Sequence, residues 1–438
     1  MPQNVLFVLC DQMRAAAMGC MGNEQVRTPA MDRMADEGCL FERTYAPDPV
    51  CTPCRGSLLT GCYPHKHGNV ANHMRLPEQP TVATELRAEG YRTGYVGKWH
   101  LDGEGSPGYI SQEHRRGFDF WRGFNRGHDH LRGHPHMNPD GSADWEEGYQ
   151  PELQTDMAID FVREHAGADP FFCYLSWGPP HTPFEAPEEY SDMYDPGELE
   201  LRENVPADLD TPELRRDLAE YYALVTSLDD QLERLLDALD DEGIAEDTLV
   251  VFASDHGEQL GSQGRQRKDY PFEESVHVPL IARQPGAVES GSTDELVSLV
   301  DLMPTFLSWC DTAVPDRVQG EDLSSLLRGE EATPHPEGVY IEGQLAYDET
   351  WRAVRTDGDL LVVDRTADVR YLFDTDADPY QLENLAGDDR YAHREEALRD
   401  RLVALAREYD DRYLLASDMA TRFMDDVYEP RGEMFERE

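Results

Sequence analysis

The sequence has almost no lysine: three residues in 438, Lys66, Lys98 and Lys268. Basic residues as a whole are scarce, with 39 Lys and Arg against 88 Asp and Glu and a formal net charge of −49. So acidic a chain repels polyanions, which excludes nucleic acid and anionic membrane surfaces as partners. The acidic residues are spread along the whole length, the pattern of a surface solvated in concentrated salt and not of an interaction tail. No apolar run is long enough for a transmembrane helix. The first residues enter an apolar strand without the basic segment and long apolar core of a signal peptide, so a cytoplasmic location is expected. Cysteine is sparse too: eight residues at irregular spacing are too few for a disulfide scaffold in a chain of this length.

What is present is a set of short apolar runs that end abruptly in polar residues. Residues 4–10 lead into Asp11-Gln12, residues 91–96 into Lys98 and His100, residues 171–177 into His181, and residues 248–253 into Asp255-His256. Each run is nearly continuous and not alternating, as expected of a parallel strand buried on both faces. Helical patterns lie between them. The clearest places Leu214, Leu218, Tyr221, Val225, Leu228, Leu232, Leu235 and Leu239 on one face, with Thr211-Pro212 opening it and Gly243 closing it. Strands alternating with helices predict an α/β fold with a mostly parallel central sheet covered on both faces. Ligands of such sheets bind at the carboxyl ends of strands, so the four polar clusters are expected to converge.

Beyond about residue 330 the pattern changes to short strands with tight turns, at 338–342, 351–356, 360–363 and 371–374, followed by a helix over 394–409. This predicts a small antiparallel sheet with one packed helix. The expected division is a catalytic domain over 1–335 and a C-terminal α+β subdomain and tail over 336–438. The residues from about Asp418 are too charged and irregular to assign.

The run Cys51-Thr52-Pro53-Cys54-Arg55, continued by Gly56-Ser57-Leu58-Leu59-Thr60-Gly61, puts a cysteine at the mouth of a short helix. Thr52 suits the N-cap, Pro53 the first helical position and Gly61 the end. A group at Cys51 would feel the helix dipole and Arg55, both of which favour negative charge. Cys51 and Cys54 also form a C-x-x-C, but a second pair for zinc and a thioredoxin-like βαβ start are both missing. Asp11 and Asp255 would make a hard-cation site if they meet, or are N-cap or turn residues after strands. The scarce lysines are expected where arginine cannot substitute, as a compact ammonium on one anionic oxygen, or else on the surface. Lys66 is left as a surface residue. His181 lies in a proline-stiffened turn, either as a structural histidine or as an acid–base group. The segment 113–136 holds five arginines and five histidines and would line a pocket for an anionic ester or form a turn around Trp121.

These motifs resemble the signatures of the type I, formylglycine-dependent sulfatases of the alkaline-phosphatase-like superfamily. The first signature is the run from Cys51 to Gly61, the second Gly97-Lys98-Trp99-His100-Leu101. Further likeness lies in Asp11-Gln12, Ser254-Asp255-His256-Gly257, Lys268 upstream of Phe272-Glu273-Glu274-Ser275, Ser298 to Thr305, and Asp374 to Leu385. The resemblance implies an α/β/α sandwich in which Cys51 is oxidised to formylglycine by a maturation enzyme. It implies a calcium ion held by Asp11, Gln12, Asp255, His256 and residue 51. Lys98, Lys268 and His181 would bind the sulfate, His100 would touch the formylglycine, and Arg55 would hold it. His181 would protonate the leaving oxygen of an organic sulfate ester. The sequence departs from the common pattern at Cys54, usually serine or alanine, at Gln12, often aspartate, and at His256, asparagine in some members. The last two remove a charge and add a nitrogen, which shifts preference toward manganese. A phosphonate or phosphate ester hydrolase on the same scaffold, and an anion-binding protein with Cys51 unmatured, are the alternatives.

Overall fold

The computed structural model describes residues 3–103, 108–131, 135–137, 143–145, 147–343 and 350–412. The strands in chain order are β1 (Asn4–Asp11), β2 (Cys39–Tyr45), β3 (Arg92–Lys98), β4 (Phe120–Phe124), β5 (Pro135–Met137), β6 (Ala143–Trp145), β7 (Phe171–Pro180), β8 (Thr248–Ser254), β9 (Leu280–Arg283) and β10 (Gly291–Ser298). Four more follow: β11 (Val339–Gly343), β12 (Trp351–Arg355), β13 (Asp359–Asp364) and β14 (Val369–Asp374). Eight of them form one sheet in the order β10-β2-β9-β8-β1-β7-β3-β4. All neighbours in it are parallel except β9, which runs against both β2 and β8.

The period of two along β1 explains why its apolar run is continuous. Leu6, Val8 and Cys10 enter one core, with residues of the helices Pro29–Glu37, Gln150–His165 and Pro212–Asp241. Val5, Phe7 and Leu9 enter the other, with the helices Cys51–Thr60, Val82–Ala88 and Leu302–Trp309. The α/β/α sandwich expected from the alternation of strands and helices is therefore present. All eight apolar positions predicted on one face of the long helix are buried, each worth about 2 kcal/mol when fully removed from water. Its N-cap is Thr211, whose hydroxyl accepts from the Leu214 amide at 3.2 Å.

The C-terminal strands form the expected antiparallel meander, in the order β11-β12-β13-β14. The helix Ala392–Glu408 packs on it through Leu398, Leu402 and Leu405. The other side of this sheet joins the large unit through Tyr45, Phe272, Val276 and Leu296. The tail from Asp418 lies outside the described residues. Among the described residues no helix is long and apolar enough to cross a membrane.

One local expectation is corrected. The helix carrying Cys51 is capped by Val50, so Cys51, Thr52 and Pro53 are its first three residues, not Thr52 its cap. The Thr52 hydroxyl donates to the His100 carbonyl at 3.0 Å, and the pull of that long-range partner takes it away from capping. Gly61 ends the helix in the left-handed conformation, as expected.

Candidate active site

Four strand ends and one helix start meet at the carboxyl edge of the sheet. Asp11 closes β1, Lys98 closes β3, His181 follows β7, Asp255 follows β8, and Cys51 opens the helix after β2. The order of the strands makes these residues neighbours, since β8, β1, β7 and β3 are consecutive in the sheet. Gly97 permits the closest approach. Its φ is +103°, and a Cβ there would lie 2.0 Å from the Ser176 carbonyl oxygen.

Arg55, 1 % exposed, is the centre of the site. Its Nε donates to Asp255 Oδ2 and its Nη2 to Asp11 Oδ2, both at 2.9 Å. Its Nη1 donates to the Lys98 carbonyl at 3.0 Å and to Ser176 Oγ at 2.7 Å. Lys98 Nζ also reaches Asp11 Oδ2, at 2.5 Å. One oxygen of each carboxylate is thus committed to cations, and the Oδ1 atoms face inward. His256 Nε2 lies 3.6 Å from both of them and 3.1 Å from Cys51 Sγ. The other ring nitrogen of His256 donates to the Gly257 carbonyl at 3.0 Å, which aims Nε2 at the two Oδ1 atoms; burial opposes charge on the ring, but Asp255 raises its pKa above the ordinary value.

The ligand atoms of Asp11, Cys51, Asp255 and His256 lie within 4.8 Å of one another, all buried. Two carboxylate oxygens and an imidazole lone pair fit a divalent ion. Gln12 is turned differently. Its Oε1 accepts from Lys268 Nζ at 3.0 Å and its amide donates to Glu258, so in this arrangement it ties the lysine loop to β1.

Lys268 Nζ is 3.1 Å from Cys51 Sγ. Burial disfavours a Cys51 thiolate, but Lys268, Lys98 and His256 outweigh it and hold the thiol well below its usual pKa. Burial likewise opposes charge on Lys268, and Cys51, Asp11 and Asp255 together raise it. For Asp11, burial and Cys51 oppose ionisation, yet Lys98, His181 and Arg55 hold the carboxyl well below the usual range. Asp255 is raised by burial and by Asp11, with His256 and Arg55 relieving only part of it. Arg55, Lys98 and Lys268 thus face two carboxylates and the Cys51 sulfur.

His100 and His181 both lie near Cys51, and burial pushes each down to about 4. His100 Nε2 is 3.5 Å from His73 Nδ1. His181 stacks on His128 with ring centroids 4.0 Å apart, and His130 bonds the His181 carbonyl at 3.0 Å. The segment 113–136 therefore divides. Arg115 is buried over Trp121 and bonds the Ile110 carbonyl, a structural turn, whereas His128 and His130 brace His181. Arg132 and His134 lie outside the described residues, and of His136 only the backbone is described. Lys66 is exposed. Cys54 is buried in the core behind the sheet, its thiol raised well above normal by burial, so the two cysteines do not share an environment.

The sequence reading missed Ser176, Glu258, His73 and His128. Ser176 and Glu258 carried no periodic signal, since each is a polar residue whose partner lies on a distant strand or loop. His128 had a signal, the histidine density of its segment, but nothing local showed which of those histidines turns inward.

An eight-stranded, mostly parallel sheet with this cluster of buried cations and carboxylates at its carboxyl edge defines an ester hydrolase of alkaline-phosphatase-like fold. The chain belongs to the sulfatase family, whose model matches residues 3–312, and it is a sulfuric ester hydrolase. The C-terminal model of N-sulphoglucosamine sulphohydrolase matches residues 261–408. The chain is 34% identical to an ulvan-active sulfatase of Formosa agariphila, over 94% of this chain and 82% of the relative. It is 26% identical to an N-acetylglucosamine-6-O-sulfatase of Bacteroides thetaiotaomicron, over 93% and 87%. A solved structure from the glycosaminoglycan-metabolising locus of Bacteroides thetaiotaomicron superposes with TM-score 0.87 at 26% identity, covering 96% and 99% of the two chains. A phosphonate monoester hydrolase from Silicibacter pomeroyi superposes with TM-score 0.79 at 25% identity, covering 94% and 96%.

Proposed function

We propose that this protein hydrolyses a sulfated carbohydrate to the alcohol and inorganic sulfate, with Cys51 oxidised to formylglycine by a maturation enzyme. The observation that carries the reading is the position of Cys51. It is buried at the first turn of its helix, with Sγ 3.1 Å from both His256 Nε2 and Lys268 Nζ. Sγ stands where an oxygen of the hydrated aldehyde would sit. The hydrated aldehyde supplies two hydroxyls, one to attack sulfur and one to let the enzyme release sulfate; a plain serine or cysteine would stall as the covalent ester.

Asp11, Asp255, His256 and residue 51 would hold a divalent ion, calcium first and manganese second, with Gln12 beside them. When bound, such an ion would supply positive charge that lowers the pKa of a hydroxyl at residue 51. Arg55 fixes the outer oxygens of both carboxylates so that the inner ones stay aimed. Lys98 and Lys268 stabilise charge that grows on the sulfuryl oxygens in the transition state. His181, neutral when the pocket is free, gains a proton beside the bound anion and donates it to the leaving oxygen, while His100 takes the proton of the second hydroxyl. The catalytic groups all fall within 1–335.

The carbohydrate reading draws on the named substrates of the sulfatase relatives. A second reading, phosphonate ester hydrolysis, is kept by the Silicibacter pomeroyi neighbour. Peptide mass spectrometry across Cys51 on natively expressed protein tests the nucleophile: aldehyde is expected, and unmodified cysteine in active enzyme would refute the diol mechanism. Parallel kcat/KM on aryl sulfate and phosphonate esters tests the substrate, and a phosphonate preference would replace the sulfatase reading.

A further inference from the structure

A cavity of about 450 Å³ opens between the loop that carries Lys268 and one face of the C-terminal sheet. That is a size typical of small-molecule sites. Trp351 pairs across the strands with Asp364, and Val362 with Tyr371, so the four share a face. The opposite wall is Arg265, Asp269 and Tyr270. Asp269 directly follows Lys268, whose ammonium touches Cys51, and its carbonyl accepts from Trp351 Nε1 at 3.4 Å. The pocket wall and the catalytic lysine are therefore one piece of chain, tied to the sheet that forms the pocket floor.

Three arginines, Arg265, Arg365 and Arg370, meet there with three aspartates, Asp269, Asp364 and Asp368, in a protein of net charge −49. Arg265 lies over the Tyr270 ring at 5.0 Å, and Arg370 is held by Asp364 at 2.7 Å, so two of the guanidinium groups are oriented in advance. Aromatic side chains offer flat apolar faces, and guanidinium forks suit carboxylate or sulfate oxygens. Trp351 is buried and Tyr270 and Tyr371 pack on the core beside it, whereas Arg265, Arg365 and Arg370 are exposed and serve no core.

We propose that this pocket binds an anionic sugar unit next to the one that bears the scissile sulfate, the aromatic residues meeting its ring and the arginines its carboxylate or second sulfate. The inference rests on the carbohydrate sulfatase reading and adds to it that the substrate is an acidic oligosaccharide longer than one sugar.

The test measures kcat/KM on an aryl sulfate and on three sulfated disaccharides, one with a neighbouring uronate, one with a neighbouring sulfate and one with neither. The wild type should prefer one of the two anionic disaccharides, which also tells carboxylate from sulfate. In Arg265→Ala and Arg365→Ala the ratio of anionic disaccharide to aryl sulfate efficiency should fall about tenfold or more, the loss of a charge-assisted hydrogen bond. Calorimetric binding of the desulfated disaccharide should weaken in parallel, a readout independent of turnover. Cleavage of all three disaccharides without preference, or an unchanged ratio in both variants, would overturn the proposal and leave the sulfatase reading intact. Cleavage of the aryl sulfate and of no disaccharide would overturn the carbohydrate reading itself, and the pocket's role with it.

Discussion

Replacing Arg55 with lysine tests whether the fork geometry, and not the charge alone, assembles the site. Arg55 makes four hydrogen bonds in a fully buried setting, two of them to carboxylates on β1 and after β8. A lysine ammonium at the end of a flexible stem reaches one of those carboxylates at a time. The variant then loses one charge-assisted bond, about 1.5–3 kcal/mol, and one or two neutral bonds of about 1 kcal/mol each. The expected cost is about 3–5 kcal/mol of folding stability. The loss falls on Asp255, because Asp11 keeps Lys98. Burial and Asp11 already raise the Asp255 pKa, so the variant should raise it further and bind a divalent ion about 10–100-fold more weakly, as when an outer partner of a metal ligand is removed. Urea unfolding in chelator-treated buffer measures the first effect and ion titration by calorimetry the second. Arg55→Met, which removes the charge as well, should be no better than the lysine variant. An Arg55→Lys protein within about 0.5 kcal/mol of wild type, with the same ion affinity, would refute the reasoning.

Three further outcomes are expected. Gly97→Ala should destabilise by about 3 kcal/mol or more, since its Cβ would meet the Ser176 carbonyl at 2.0 Å in a left-handed backbone; thermal unfolding checks this, and a variant as stable as wild type would contradict the close approach of β3 and β7. His181→Gln should lower kcat far more on alkyl sulfates than on nitrophenyl sulfates, since a good leaving group needs no proton; equal losses on both would remove His181 as the acid. His335 donates to Asp301 Oδ2 at 2.8 Å, and although burial opposes its charge, Asp301 raises its pKa above the ordinary value. That stabilisation is fully present below the unfolded pKa of about 6.5 and is lost as pH rises through the higher folded value. The stability gap between wild type and His335→Gln should therefore shrink from pH 6 to pH 9, and a gap that widens would refute the assignment.

Much of the architecture was written in local pattern. A strand buried on both faces needs apolar residues at every position, and residues 4–10, 171–177 and 248–253 fall within β1, β7 and β8. A helix packed on one side needs a 3.6-residue period, and the stripe from Leu214 to Leu239 is buried in the helix Pro212–Asp241. Polar residues directly after such strands marked Asp11, His181, Asp255 and His256, and the scarcity of lysine marked Lys98 and Lys268. These signals are legible because each is a property of a few consecutive residues.

What only the tertiary structure decided is which of those residues touch and through which atoms. Reversal of β9, the adjacency of β8, β1, β7 and β3, and the convergence of their ends follow from pairings between segments up to 244 positions apart. The same long-range packing took Thr52 from the cap to the His100 carbonyl, turned Gln12 toward Lys268, placed Ser176 under Arg55 and stacked His128 on His181. It also sent Cys54 into the core while Cys51 faces the cations. Periodicity fixes which face of an element is apolar. The partner of a buried polar atom is chosen by the need to satisfy its hydrogen bonds after the elements have packed, and that choice exists only in the folded chain.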